Sequence, residues 1–267
     1  MSEPSAMAPE APSTTGSAAR TYDMTSLLAH RRWVRREWPF AHVLASNVFV
    51  PEFYAELDAQ FHAVEDTVFQ RNMKGYDASG TELSLHCDGP LGVFASRGWH
   101  DMIADIWGLD ATGDVAGSLH HHDPGGKSGW PHNDLAPGWF ASPPADRDSV
   151  RLSNSPDVDY FRGPRREGVE ARETVRAVAI LFYLGNPEWQ PGDGGETAFF
   201  ASCSGAAAGP SAAIPPINNS MVMFECTPFS WHSFVTNRKP RNSLVMWLHR
   251  TKEEAVTRWG DDRIVYW

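Results

Sequence analysis

Two short stretches of the chain carry residue types that could hold a metal ion. Trp130-Pro131-His132-Asn133-Asp134-Leu135 sets a His and an Asp two positions apart, and Trp231-His232-Ser233-Phe234-Val235 offers a second His a hundred residues later. Side chains of an extended segment alternate between faces, so His132 and Asp134 project to one side and a single ion can reach both. With His232 delivered by a neighbouring strand, the set becomes two imidazoles and one carboxylate. That set leaves coordination positions open and suits non-haem ferrous oxygen chemistry. The bland alternative for a His-x-Asp pair is a structural hydrogen bond between the two. A competing cluster, His120-His121-His122, places its outer pair on one strand face. Asp123 has the opposite phase and begins a turn, so no carboxylate joins that pair.

The elements that must position these residues divide the chain in two. Met24, Leu27, Leu28, Trp33 and Val34 predict an amphipathic helix from Tyr22 to Trp38, ending before Pro39. A strand and turn follow from Phe40. Pro51 then fits the first turn of a second helix, which Phe53, Leu57 and Phe61 extend at four-residue spacing. Residues 65–91 read as mostly loop, and Trp99, Ile103, Ile106 and Trp107 mark a third helix. From Gly117 the pattern turns to strands. Ser118–His122 and Gly129–Asp134 flank the turn Asp123-Pro124-Gly125-Gly126, whose residues suit β-turn backbone angles. Val175–Leu184 is nearly continuous apolar, as in a strand buried on both faces. Further strands are expected at Glu196–Phe200, Met221–Cys226, Trp231–Thr236 and Asn242–His249, with a small-residue loop running to Pro216. Helices first and many short strands after them predict a mainly β fold with supporting helices, a sandwich or barrel.

Residues 1–21 are rich in Ser, Ala, Pro and Glu and read as a disordered tail; residues 22–267 read as one domain, with helical support over 22–117 and a β-core over 118–250. Inside that core the polar stretch 141–173 is too long for a plain connection, and reads either as a lid over a bound substrate or as a passive solvated insert. A net charge of −10 disfavours nucleic acid as a partner. No run approaches the roughly 20 apolar residues of a membrane span, and no secretory signal is visible, so a cytoplasmic protein without membrane attachment is expected. Cys87, Cys203 and Cys226 are too scattered for a disulfide framework or a thiolate zinc site, which fits a reducing compartment.

Pro124-Gly125-Gly126 ahead of His132-Asn133-Asp134, Phe182-Tyr183-Leu184-Gly185-Asn186, the Gly194-Gly195-Glu196 turn, His232 with Val235, and Arg241-Asn242-Ser243 leading to Trp247 resemble, in order and spacing, the prolyl 4-hydroxylase-like group of 2-oxoglutarate- and Fe(II)-dependent dioxygenases. The resemblance spans about residues 118–250. It implies a double-stranded β-helix (a cupin-like jelly roll), Fe(II) held by His132, Asp134 and His232, and 2-oxoglutarate as cosubstrate. Ascorbate is a candidate reductant. Dioxygen is then consumed with release of succinate and carbon dioxide, and a small molecule, an amino acid or a peptide is hydroxylated. Related halogenases carry Gly or Ala at the carboxylate position, so Asp134 favours hydroxylation. His122 stands where family members often have Tyr and is the expected cosubstrate contact on that strand. Arg238 and Lys239 fall in a turn, so Arg241 is the first basic residue inside the last strand. Arg241 shares a face with Ser243, Val245 and Trp247, which sets a guanidinium beside a hydroxyl to receive the distal carboxylate. Two rival readings are a zinc-dependent hydrolase on the same triad and a non-catalytic jelly-roll binding or sensing protein. The hydrolase needs no oxoglutarate anchor such as Arg241, and the non-catalytic reading would show as loss of a ligand or of Arg241; none is lost. Trp130, Trp139, Trp231 and Trp247 serve either as an aromatic wall for substrate or, more simply, as packing. Cys226 reads as a small buried hydrophobe and Glu196 as structural.

Overall fold

The structure, a computed structural model, describes residues 21–71, 78–204 and 209–266. The tail expected over 1–21 lies, but for Thr21, outside them. In chain order the elements begin with α1 (Met24–Leu27), β1 (Val34–Arg36), β2 (His42–Ser46), α2 (Pro51–Val68), β3 (Gln70–Arg71), β4 (Ser79–Glu82), α3 (Arg97–Trp107) and β5 (Asp114–His122). Next come β6 (Pro137–Ala141), β7 (Arg151–Leu152), β8 (Val158–Asp159), β9 (Gly163–Pro164) and β10 (Ala171–Tyr183). The chain closes with β11 (Thr197–Phe199), β12 (Ala212–Ile214), β13 (Ser220–Glu225), β14 (His232–Phe234), β15 (Arg241–Thr251) and α4 (Lys252–Trp259).

The main sheet runs β1-β2-β13-β10-β15-β5-β4-β3, and a small sheet β12-β11-β14 faces it. Together they form the jelly roll. The main sheet buries both faces. Val178, Ile180, Phe182, Leu244, Met246 and Leu248 point toward Phe53, Leu57 and Phe61 of α2 and Trp99 and Ile103 of α3. Ala179, Leu181, Tyr183, Val222, Phe224 and Val245 point toward Phe199 and Ile214 of the small sheet. The helices therefore wall off the outer face, and the inner face becomes the pocket.

Several expectations are corrected. The first helix is a single turn, Met24–Leu27, capped by Asp23, whose carboxylate accepts from the Thr25 N–H at 2.9 Å. Beyond it the Arg-rich stretch has no apolar face to bury, and Val34–Arg36 instead pairs antiparallel with β2 as an edge strand. The stretch 65–91 is not all loop: α2 continues to Val68, and Ser79–Glu82 pairs with β5. The small-residue loop before Pro216 contains β12, because Ala212–Ile214 completes the small sheet against β11. The helix α4 carried no expectation. No regular strand contains His132: its segment is held by one isolated bridge to His232.

The segment between β6 and β10 folds onto the barrel. Its β8–β9 hairpin places Tyr160 beside Phe140, with ring centroids 5.6 Å apart. A second irregularity lies in β10, where the pairing with β15 slips between Arg176 and Val178. Such a bulge reverses side-chain phase, and here it turns Arg176 to the inner face opposite His249.

Phe182 is fully buried on the helix side among Phe49, Tyr54 and Phe94. Truncation there leaves a cavity away from the pocket, so Phe182→Ala should lower unfolding free energy by about 3–5 kcal/mol. Denaturant titration by circular dichroism measures it; a change below about 1 kcal/mol would contradict this packing.

Candidate active site

His132 and His232 exchange backbone hydrogen bonds, N–H to O in both directions, at 3.0 and 2.9 Å. This pairing lays their imidazoles side by side with centroids 4.4 Å apart. Each Nδ1 faces a carbonyl two residues back: Trp130 O at 2.8 Å for His132 and Ser230 O at 3.0 Å for His232. A carbonyl can only accept, so each Nδ1 donates a proton to it, which leaves Nε2 as the ring atom turned toward the other two groups. Burial holds the His132 pKa down at about 4, which keeps that imidazole neutral.

Asp134 completes the group. Its Oδ2 lies 3.5 Å from His232 Nε2, and its Oδ1 lies 3.8 Å from His132 Nε2. One candidate ligand atom from each of the three residues fits within 4.8 Å of the others. No other convergence of three such groups occurs among the described residues. Arg176 donates to Asp134 Oδ1 at 3.1 Å and the Trp247 indole donates to Oδ2 at 2.8 Å. Burial alone would raise the carboxyl pKa, but His232, Arg176 and His132 outweigh it and hold Asp134 well below the usual carboxylate range. An ionised carboxylate has about four acceptor sites, so each oxygen keeps a lone pair for an ion.

Along the same inner face, β15 opens with Arg241, opposite His122, and Ser243 stands opposite His120. Arg241 is 3% exposed and forms no ion pair among the described residues. Its terminal nitrogens donate to Ser243 Oγ at 2.8 Å and Thr197 Oγ1 at 3.3 Å, and Thr197 meets the Tyr183 hydroxyl at 2.7 Å. Nε is buried with no partner. Burial pulls the guanidinium pKa down, as expected for a cation lacking an anion. The alternatives are otherwise engaged. Arg238 is exposed, Lys239 pairs with Asp193 at 2.9 Å, and Arg250 pairs with Glu225 and Glu254 at 2.8 and 2.9 Å.

His122 stacks on Phe234 at 4.1 Å, beside Arg241. His120 contacts Ser118 Oγ at 2.6 Å, and burial with the Arg241 charge depresses its pKa to about 3. His121 points to the other face and meets Glu65 at 2.6 Å, so the three successive histidines share no centre. Trp247 belongs to the site through Asp134, whereas Trp130 is 88% exposed.

Four residues of this pocket escaped the sequence reading: Arg176, Tyr160, Tyr183 and Thr197. Arg176 left a signal, being the one charge within the apolar run Val175–Leu184. Tyr183 lay inside the motif Phe182–Asn186 without a role assigned to it, and Tyr160 and Thr197 left no signal, since a Tyr in a hairpin turn or a Thr in a strand is ordinary.

The donor set, two imidazoles and an ionised carboxylate, fits a ferrous ion. The unpaired guanidinium fits the distal carboxylate of a keto-diacid.

Residues 153–249 match the family described as the 2OG-Fe(II) oxygenase superfamily, a span that holds Arg176, Tyr183, His232 and Arg241 but begins after Asp134. Among solved structures, a Pseudomonas putida prolyl-4-hydroxylase aligns with TM-score 0.52 at 16% identity, over 78% of this chain and 92% of that one. A Trichoplax adhaerens prolyl hydroxylase, bound to a peptide fragment of the hypoxia inducible factor oxygen degradation domain, aligns with TM-score 0.51 at 14% identity, over 81% and 86%. At that identity the likeness is one of fold. Among the curated proteins none matches this sequence. No described helix is long and apolar enough to cross a membrane.

A carboxylate ligand of Arg241 should gain charge-assisted hydrogen bonds that water-exposed Arg238 cannot offer. Arg241→Ala should raise the 2-oxoglutarate KM by about ten- to a hundredfold, and Arg238→Ala by less than about twofold. Steady-state kinetics with iron content checked in both decides; the reverse ranking would misplace the cosubstrate.

Proposed function

We propose that this chain, whose residues 153–249 match the 2OG-Fe(II) oxygenase superfamily and whose fold is that of the prolyl 4-hydroxylases, is a 2-oxoglutarate- and Fe(II)-dependent oxygenase that hydroxylates a small molecule, an amino acid or a peptide. In this reading His132, Asp134 and His232 hold the iron, Arg241 and Ser243 hold 2-oxoglutarate, and His122 flanks it. The observation that carries the reading is a buried, unpaired Arg241 on the same inner face as the triad. A zinc hydrolase would have no use for that unpaired cation, and a non-catalytic binding protein would not need all three ligand residues kept beside it.

When bound, iron and 2-oxoglutarate supply the oxidant, with dioxygen divided between succinate and the hydroxylated product as carbon dioxide is lost. The chain's own residues prepare the site. Trp130 O and Ser230 O each accept from an Nδ1–H, which fixes the ring orientations and leaves both Nε2 atoms facing inward. Arg176 and Trp247 keep Asp134 charged and hold its orientation. Arg241 draws a carboxylate past Ser243 and Thr197, and Tyr183 closes that hydrogen-bonded row. Leu181, Val222 and Val245 form an apolar wall that limits water in the pocket.

Anaerobic loading with Fe(II) and 2-oxoglutarate, then oxygen and a substrate screen read by succinate, tests the reading. Ascorbate is included as reductant, and prolyl peptides make up the first panel because the fold is shared with prolyl hydroxylases. His132→Ala and Asp134→Ala should each abolish stoichiometric iron binding and succinate formation. Full iron occupancy and turnover in His132→Ala would overturn the assignment.

A further inference from the structure

The segment between β6 and β10 contributes a side chain to the pocket's supporting network. Asp159 shapes the hairpin tip by accepting the N–H groups of Phe161 and Arg162 at 3.0 and 3.2 Å, which leaves Phe161 in solvent and turns Tyr160 inward. Gly138 of β6 makes room for that ring. A Cβ there would stand 2.7 Å from Tyr160 Cζ and 2.8 Å from its hydroxyl oxygen.

The Tyr160 hydroxyl sits 2.9 Å from His249 Nε2 and 3.1 Å from Arg176 Nε. Donor directions along this row are all determined. His249 Nδ1 lies 3.1 Å from Asp114 O and must donate to it. Burial holds His249 neutral, with a pKa near about 3, so its Nε2 accepts the phenolic proton. The phenol oxygen then accepts from Arg176 Nε, and Arg176 donates from its other end to Asp134 Oδ1 at 3.1 Å. The guanidinium carbon also lies over the Trp247 ring, 3.8 Å from its centroid, which sets its distance from the indole but not its rotation. Rotation is set by the hydrogen bonds at its two ends, to Tyr160 and to Asp134.

We propose that Tyr160 is a positioning residue for Asp134: its hydroxyl orients the Arg176 guanidinium, which in turn holds the carboxylate on the histidine side of the pocket. The inference rests on the reading of His132, Asp134 and His232 as metal ligands. It assigns the segment 141–173 a task inside the site, independent of any covering of substrate. A purely structural Tyr160 would anchor the hairpin and affect stability alone.

The probe is Mn(II), titrated anaerobically into the full chain and followed by electron paramagnetic resonance, with the thermal midpoint of each metal-free variant measured alongside. Tyr160→Phe keeps the ring against Phe140 and removes only the oxygen. It should weaken Mn(II) binding by about tenfold, as loss of an outer partner of a ligand does, without a matching drop in midpoint. His249→Leu releases the phenol from its far end and should weaken binding in the same direction. Phe161→Ala, one residue away and in solvent, should leave affinity unchanged. Mn(II) affinity within about twofold of the unmodified protein in both Tyr160→Phe and His249→Leu, while Asp134→Ala loses binding, would overturn the inference and leave the metal site standing. No Mn(II) binding by the unmodified protein would overturn both.

Discussion

The two hydrogen bonds exchanged by the backbones of His132 and His232 are the constraint on which the pocket depends. They join segments a hundred residues apart at the margin of the small sheet and fix both imidazoles side by side. A single pair of such bonds is weak support for an extended segment, and the surroundings reinforce it. Gly129 N–H donates to Phe234 O at 2.9 Å, and His232 is itself paired with Phe199 across β14 and β11. Because Asp134 follows two residues later, the same register that aligns the histidines carries the carboxylate to them.

Charge burial explains the rest of the inner face. Unpaired charges are costly in an interior, and most buried cations here are matched. Half-buried Arg172 is bidentate to buried Asp114, buried Arg250 is held between Glu225 and Glu254, and buried Arg176 faces Asp134. Arg241 alone among these four has hydroxyl partners and no carboxylate. The fold therefore tolerates one buried cation in need of an anion, and places it on the strand face that leads to the triad. The stability cost of that arrangement is carried by the two large apolar clusters on either side of the main sheet.

A slip of pairing in β10 has an effect out of proportion to its size. With regular alternation Arg176 would face the helices, where no carboxylate of the triad could reach it. The bulge turns it inward opposite His249, so that the β8–β9 hairpin can insert Tyr160 between them. Local irregularity in a central strand thus connects the polar segment 141–173 to Asp134.

The sequence alone determined the ligand types and their phase, the identity of Arg241 as the first basic residue of its strand, the apolar run of β10 and the helices built on Phe53, Leu57, Phe61 and Trp99. These follow from local rules, since side-chain periodicity and turn chemistry act over a few residues. Tertiary structure decided that Val34–Arg36 is an edge strand, because its partner β2 lies beyond a turn and its own residues bury nothing. It also decided the roles of Tyr160, Arg176, Thr197 and Tyr183. Each acquires its function from a group far off in the chain, through a bulge, a hairpin or a facing sheet. No spacing rule carries that information, because hydrogen-bond partners across a barrel are set by packing and register, not by distance along the chain.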